Sequence, residues 1–216
     1  SVSDHERRLK RIREYDFPVL SKMVGDDSKN FESRAHAMFF LADAYSMLAS
    51  DCKKDERGGP WITYQMNAMA LYWRYGQIAE ASDSPAHDLK KAVLAYLRYL
   101  NIAETVGFYT HDELIWRITA LIESDPTVPE LHYMLAVHAA QVDAKKGFFL
   151  AERASKVAAE ARLNPTFIPT DSQIEWKALR IAAECARANR SEKSAKELAK
   201  RAIAAGGPPE AFEGFV

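Results

Sequence analysis

The sequence has little cysteine, no excess of either charge and no long apolar run, and each shortage closes off a class of function. Its two cysteines, Cys52 and Cys185, stand far apart with no CxxC or Cys/His spacing around them. Neither a disulfide framework nor a zinc site has the residues it needs, so reduced thiols in a cytoplasmic protein are the expectation. Twenty-nine basic residues against thirty acidic ones leave a formal net charge of -1, so no global field draws the chain to nucleic acid or an anionic membrane. No unbroken apolar run exceeds the six residues of Ala37–Ala42, against the roughly 20 that span a bilayer; membrane insertion is not expected. The chain opens on Ser1 with no charged-then-apolar leader behind it, which fits a protein never secreted or one already processed.

What is present suits one globular body. The chain has 216 residues, 48% hydrophobic and 27% charged, close to the globular averages and long enough for a packed core. Nine prolines, at 18, 60, 85, 126, 129, 165, 169, 208 and 209, and most of the nine glycines fall between stretches whose apolar positions recur every three to four residues. That periodicity predicts helices at 4–15, 18–24, 30–50, 60–82, 85–106, 111–124, 129–143, 146–163, 171–189 and 191–205. Start signals accompany them. Ser3 with Glu6, Thr110 with Glu113, Thr127 with Glu130 and Thr170 with Gln173 have capping-box spacing, and Ser84 precedes Pro85. The short connections make successive helices antiparallel neighbours. The layout is a single domain: a helical lead-in over 1–29, four hairpins over 30–208 and an apolar tail over 209–216.

An internal pattern runs through the hairpins. Leu179, Ala182, Ala183 and Ala186 have spacing 0, 3, 4, 7 on a first helix, and Ala195, Ala199 and Ala202 follow on a second after the turn Asn189–Ser191. Small residues at these points let two helices approach closely. The unit resembles the tetratricopeptide repeat, a helix-turn-helix of about 34 residues. His132, Leu135, Ala136 and Ala139 give a second match, Met38, Leu41, Ala42 and Tyr45 a third, and Ala92, Ala95, Tyr96 and Tyr99 a poorer fourth. The intervals of 54, 40 and 47 residues depart from a regular array, so the likeness is best over 171–208, fair over 111–165 and slight before that. An alanine-rich helical bundle is the plainer alternative. The resemblance implies an all-α fold, with antiparallel helical hairpins stacked as a right-handed α-solenoid.

It also implies a function, since in such proteins the first helices line a concave groove that holds a peptide or helix of a partner. By register the groove candidates are His36, Phe39 and Asp43, then Glu130, Tyr133, Val137 and Gln141, then Lys177, Arg180, Glu184 and Arg187. Their mixed aromatic and basic character suits an acidic or amphipathic segment. The subfamily that clamps chaperone C-termini carries asparagines where this chain has Asp43, Val137 and Glu184, so a terminal carboxylate is not the expected ligand. At the tail, Phe212 and Phe215 are expected to fold back over the last hairpin or to enter a neighbouring copy, giving self-association.

Catalytic and cofactor motifs are few. HExxH and paired ExxH are absent, and His132 and His138 lie six residues apart, on separated faces of one helix. Asp26, Asp27 and Asn30 form DDxxN, superficially like the magnesium-binding DDxxD of helical prenyl-transferring enzymes, but beside Gly25 they read equally as turn and helix-start residues. His111, Asp112 and Glu113 fall in a first helical turn, where capping accounts for them. No phosphate-binding glycine loop or nucleophile elbow is present. Residues 143–204 hold 13 basic and 8 acidic side chains, and the remainder 16 and 22; the basic half lacks aromatic RNA-stacking motifs and reads as a solvated face. The expectation is a non-enzymatic, cofactor-free scaffold, adaptor or assembly factor. The competing reading is a small helical enzyme with metal ligands around Asp26, Asp27 and His111.

Overall fold

The computed structural model describes residues 3–52, 59–163 and 171–215. Among them the regular structure is all helical, without strands, and no helix is long and apolar enough to cross a membrane. The helices are α1 (Asp4–Arg11), a π turn (Ile12–Asp16), α2 (Phe17–Gly25), α3 (Phe31–Asp51), α4 (Pro60–Glu80), α5 (Leu89–Thr105), α6 (His111–Ser124), α7 (Pro129–Val142), α8 (Ala144–Leu163), α9 (Ile174–Ala188) and α10 (Glu192–Ala204). A 3-10 turn at Pro209–Phe212 follows.

Local chemistry explains where they start. Ser3 and Glu6, like Thr110 and Glu113, form reciprocal capping boxes, and Asn30 caps α3 by accepting the Ser33 N–H at 2.8 Å. Other starts differ from the sequence reading. Pro18 does not break the lead-in: the Phe17 N–H reaches back to the Ile12 carbonyl, and this wider turn accommodates the missing proline donor, so the helix runs from Asp4 to Gly25. At Ser84 the hydroxyl accepts the Ala86 N–H at 3.1 Å in a turn. Asp88 is the cap of α5, accepting from Lys91 N–H at 3.1 Å, which puts the start later than 85. Thr127 gives its hydroxyl to Asp125 at 2.6 Å and leaves Glu130 without a capping partner; Val128 stands at the cap of α7. Asp143 accepts the Lys145 and Lys146 N–H groups at 2.8 and 3.2 Å, so α8 begins before 146. Thr170, expected to start α9, lies outside the described residues.

The chain divides into two compact units, 1–108 and 109–216. In the first, α2 packs on α3, α3 on α4 and α4 on α5. Phe39 meets Tyr75 while Tyr45 meets Tyr64, and Trp73 meets Tyr99 while Glu80 accepts from Tyr96; both pairings run in opposite directions, so these helices are antiparallel. Rings fill the spaces, and hydroxyls tie them down: Tyr72 donates to Asp43 and Tyr96 to Glu80 at 2.8 Å. Burial, then the neighbouring carboxylate, raises both phenols well above their ordinary range. Burial with the Asp88 and Glu32 charges pushes Tyr75 up to about 12.

The second unit is built from small residues. Helices α6 to α10 pack in sequence, and α7 also touches α9. All seven positions of the C-terminal pattern, from Leu179 to Ala202, are buried in one cluster. Gly147 lies so close to α7 that a Cβ there would stand 2.6 Å from the Ala140 Cα. Phe212 is fully buried in the same cluster and Phe215 nearly so.

Candidate partner-binding surfaces

The groove candidates fall on both units, and their surroundings differ. On α3, His36 Nε2 lies 3.4 Å from Lys91 Nζ, Phe39 packs edge-on against Tyr72, and Asp43 accepts from Tyr72. All three are half-buried and occupied by α4 or α5. On α7, Tyr133 and Val137 are half-buried and Gln141 is exposed, while Glu130 accepts the Asp171 N–H at 3.1 Å and so ties α7 to the approach of α9. On α9, Lys177 pairs with Asp171 at 3.1 Å and Arg180 with Glu184 at 3.0 Å. These are partly exposed pairs, which an incoming charged ligand exchanges at small cost.

Arg187 is engaged elsewhere. Its guanidinium donates to the Gly214 carbonyl, stacks over Phe215 at 3.7 Å and lies 3.7 Å from Glu192. Trp176 meets Phe212 edge-on at 6.4 Å. The tail therefore lies over the last hairpin of its own chain, and Arg187 holds it there.

The remaining polar motifs have internal partners. Asp26 accepts from the Ser28 N–H and hydroxyl, which lowers its pKa, Asp27 pairs with Arg34 at 2.8 Å, and Asn30 caps α3. His111 does more than begin α6: its Nδ1 lies 2.9 Å from Nδ1 of buried His138, so in that hydrogen bond one ring donates and the other accepts. His132 donates from Nε2 to the Pro126 carbonyl at 2.8 Å, and burial lowers its pKa. Among the described residues no group of three or more His, Cys, Asp or Glu is placed to hold a metal ion. Lys145, Lys146, Lys193, Lys196, Lys200 and Arg201 are exposed on α8 and α10.

One surface is absent from the sequence reading. A cavity of about 630 Å³ lies between the N-terminal helix and α3. Arg8, Arg11, Ile12, Tyr15 and Val19 form one wall, and Phe40, Asp43, Ala44 and Met47 the other. The signal was there, since 8, 11, 12, 15 and 19 share one helical face, but a helix broken at Pro18 hides it. Comparison with protein-family models, curated proteins and solved structures finds no match.

Proposed function

We propose that this protein is a non-enzymatic scaffold or adaptor of the tetratricopeptide type, its hairpins stacked with a right-handed curve, which holds a peptide or helix of a partner protein. The observation that carries the reading is on α7 and α9. These two helices touch each other while α8 packs against both, and each keeps a row of partly exposed side chains: Tyr133, Val137 and Gln141 on one, Lys177, Arg180 and Glu184 on the other. An aromatic and aliphatic strip beside cations is chemistry for an amphipathic or acidic segment. The carboxylates at Asp43 and Glu184 argue against a terminal carboxylate as the ligand.

A photo-crosslinking amino acid at Tyr133 or Arg180, in the full chain expressed in its source cell, tests this. The expected result is one discrete adduct from both positions and none from Lys196 on α10. Adducts that form equally well from Lys196, or from none of the three, contradict it.

A further inference from the structure

The α7–α9 reading leaves the cavity of the first unit unexplained, and the sequence there is unusual for a surface. Residues 8, 11, 15 and 19, with 12, 16 and 20 beside them, recur at three- and four-residue intervals, and the π turn carries the helix that presents them through Pro18. Across from them, Phe40, Asp43, Ala44 and Met47 repeat the same steps on α3. The two stripes make a groove whose longer wall, at 1.5 Å per residue, extends about 18 Å.

This groove exposes what a folded chain ordinarily covers. Tyr15 is 67% exposed, Val19 56% and Phe40 57%, and none of the described residues of α2 is buried although it contains Phe17, Val19, Leu20, Met23 and Val24. Apolar side chains clustered around a concavity mark an interaction site. The shape selects the kind of ligand. A small molecule is held where its surface is mostly enclosed, whereas a trough between two helices, open to solvent at Tyr15, Val19 and Phe40, matches the face of a third helix.

Charge selects the chemistry further. Asp43 is held by the Tyr72 hydroxyl, and Asp16 pairs with Arg11 at 3.5 Å between two exposed side chains. Arg8 has no ion-pair partner among the described residues. The lining is balanced overall, two arginines against Asp16 and Asp43, but the charges are separated: Arg8 and Arg11 make the end nearer the start of α1 positive, while Asp43 lies on the α3 wall.

We infer that this groove is a docking site for an amphipathic helix of a partner protein, with apolar residues at i, i+3 or i+4, and i+7 against Tyr15, Val19 and Phe40, and with carboxylates against Arg8 and Arg11. The inference rests on the protein-binding reading above but places a second contact on the other unit.

The test uses the full chain and a fluorescein-labelled amphipathic peptide of about 18 residues, with leucines on one face and glutamates at the ends, beside a twin with lysines for the glutamates. Fluorescence anisotropy is expected to give saturable binding of the acidic peptide in the micromolar range, at least about tenfold tighter than its twin. Val19→Asp should weaken it about tenfold, and Arg8→Glu with Arg11→Glu should reverse the preference between the peptides. All three side chains are exposed, and unchanged circular dichroism checks that the variants fold. Absent binding, equal affinity for the twins, or indifference to Val19→Asp overturns the inference. So does occupation by another ligand: concentration-dependent dimerisation abolished by Val19→Asp would assign the groove to a second copy, and saturable binding of laurate in place of the peptide would assign it to a small amphiphile. The two readings fail separately, because Val137→Asp with Lys177→Glu should abolish the cellular adduct formed from the crosslinker at Tyr133 or Arg180 yet leave peptide affinity unchanged.

Discussion

The two units both bury alanines between their helices, but they fill the remaining space with different side chains. In the second, alanines and Gly147 bring helix backbones close together, and Phe212 and Phe215 seal the last hairpin. In the first, rings hold the helices apart and need hydroxyl anchors: Tyr72 on Asp43, Tyr96 on Glu80. A small-residue interface gains from close backbone approach and tolerates no added atom, whereas a ring-filled one has side chains that can shift. The second unit is closed by its own tail, while the first leaves Tyr15, Val19 and Phe40 in water. Both units leave apolar side chains exposed, Trp116, Phe149 and Leu163 on the second, but Tyr15, Val19 and Phe40 of the first flank a concavity.

The largest expected effect comes from removing the seal. Phe212→Ala should cost about 3–5 kcal/mol, and hydrogen exchange should show α9 and α10 losing protection before α3 to α5; uniform loss across both units would break the contrast. Next come the two helix-crossing glycines. A Cβ on Gly147 meets backbone atoms of Ala140 at 2.6 and 2.9 Å, whereas one on Gly76 meets the Tyr96 ring at 2.6 Å. Gly147→Ala should therefore cost about 2–3 kcal/mol and Gly76→Ala about 1–2, measured by denaturant unfolding, because a half-buried ring can turn and a helix backbone cannot. Tyr72→Phe removes the donor to Asp43 and should cost about 1.5 kcal/mol, with the loss confined to the first unit.

The pH dependence sharpens the contrast in both directions. His132 has its pKa lowered by burial, so its stabilisation is complete above about 6.5 and falls away as the solution is acidified. Acid should loosen the second unit first, and His132→Gln should reduce that slope. Phenols raised above 10 act oppositely: stability is complete below about pH 10 and is lost between 10 and about 12, where unfolded tyrosine ionises and native Tyr75 does not. Tyr72 and Tyr96 add to this loss. The buried Cys185 thiol, also raised, gives the second unit a smaller alkaline loss beginning near 9. Hydrogen exchange at pH 5.5 and pH 10.5 measures both effects by unit. The smallest effect expected is that of Arg187→Ala, about 1 kcal/mol, since its contacts with Gly214 and Phe215 are partly exposed.

The second unit was the more legible from sequence, for a physical reason. Alanines at 182, 183, 186, 195, 199 and 202 have helical spacing and one use, to let a helix approach, and all are buried. Aromatic positions such as Phe40 and Trp73 serve core or surface equally well, so their spacing settles less. Pro18 concealed the groove because a proline ordinarily stops a helix, and only the wider turn from Ile12 to Phe17 lets it continue. The pairing of His111 with His138 joins residues 27 apart, a contact that requires knowing how α6 lies on α7. The start of α5 was misplaced because Ser84 can cap a turn as readily as a helix.

Hydrogen exchange of the full chain, alone and with the partner captured through Tyr133, tests the protein-binding account most directly. The account predicts new protection along α7 and α9 over the stretches that carry Tyr133, Val137, Lys177 and Arg180, with the solvated lysine face of α10 unchanged. Protection confined to α10, or no change in either place, would contradict it.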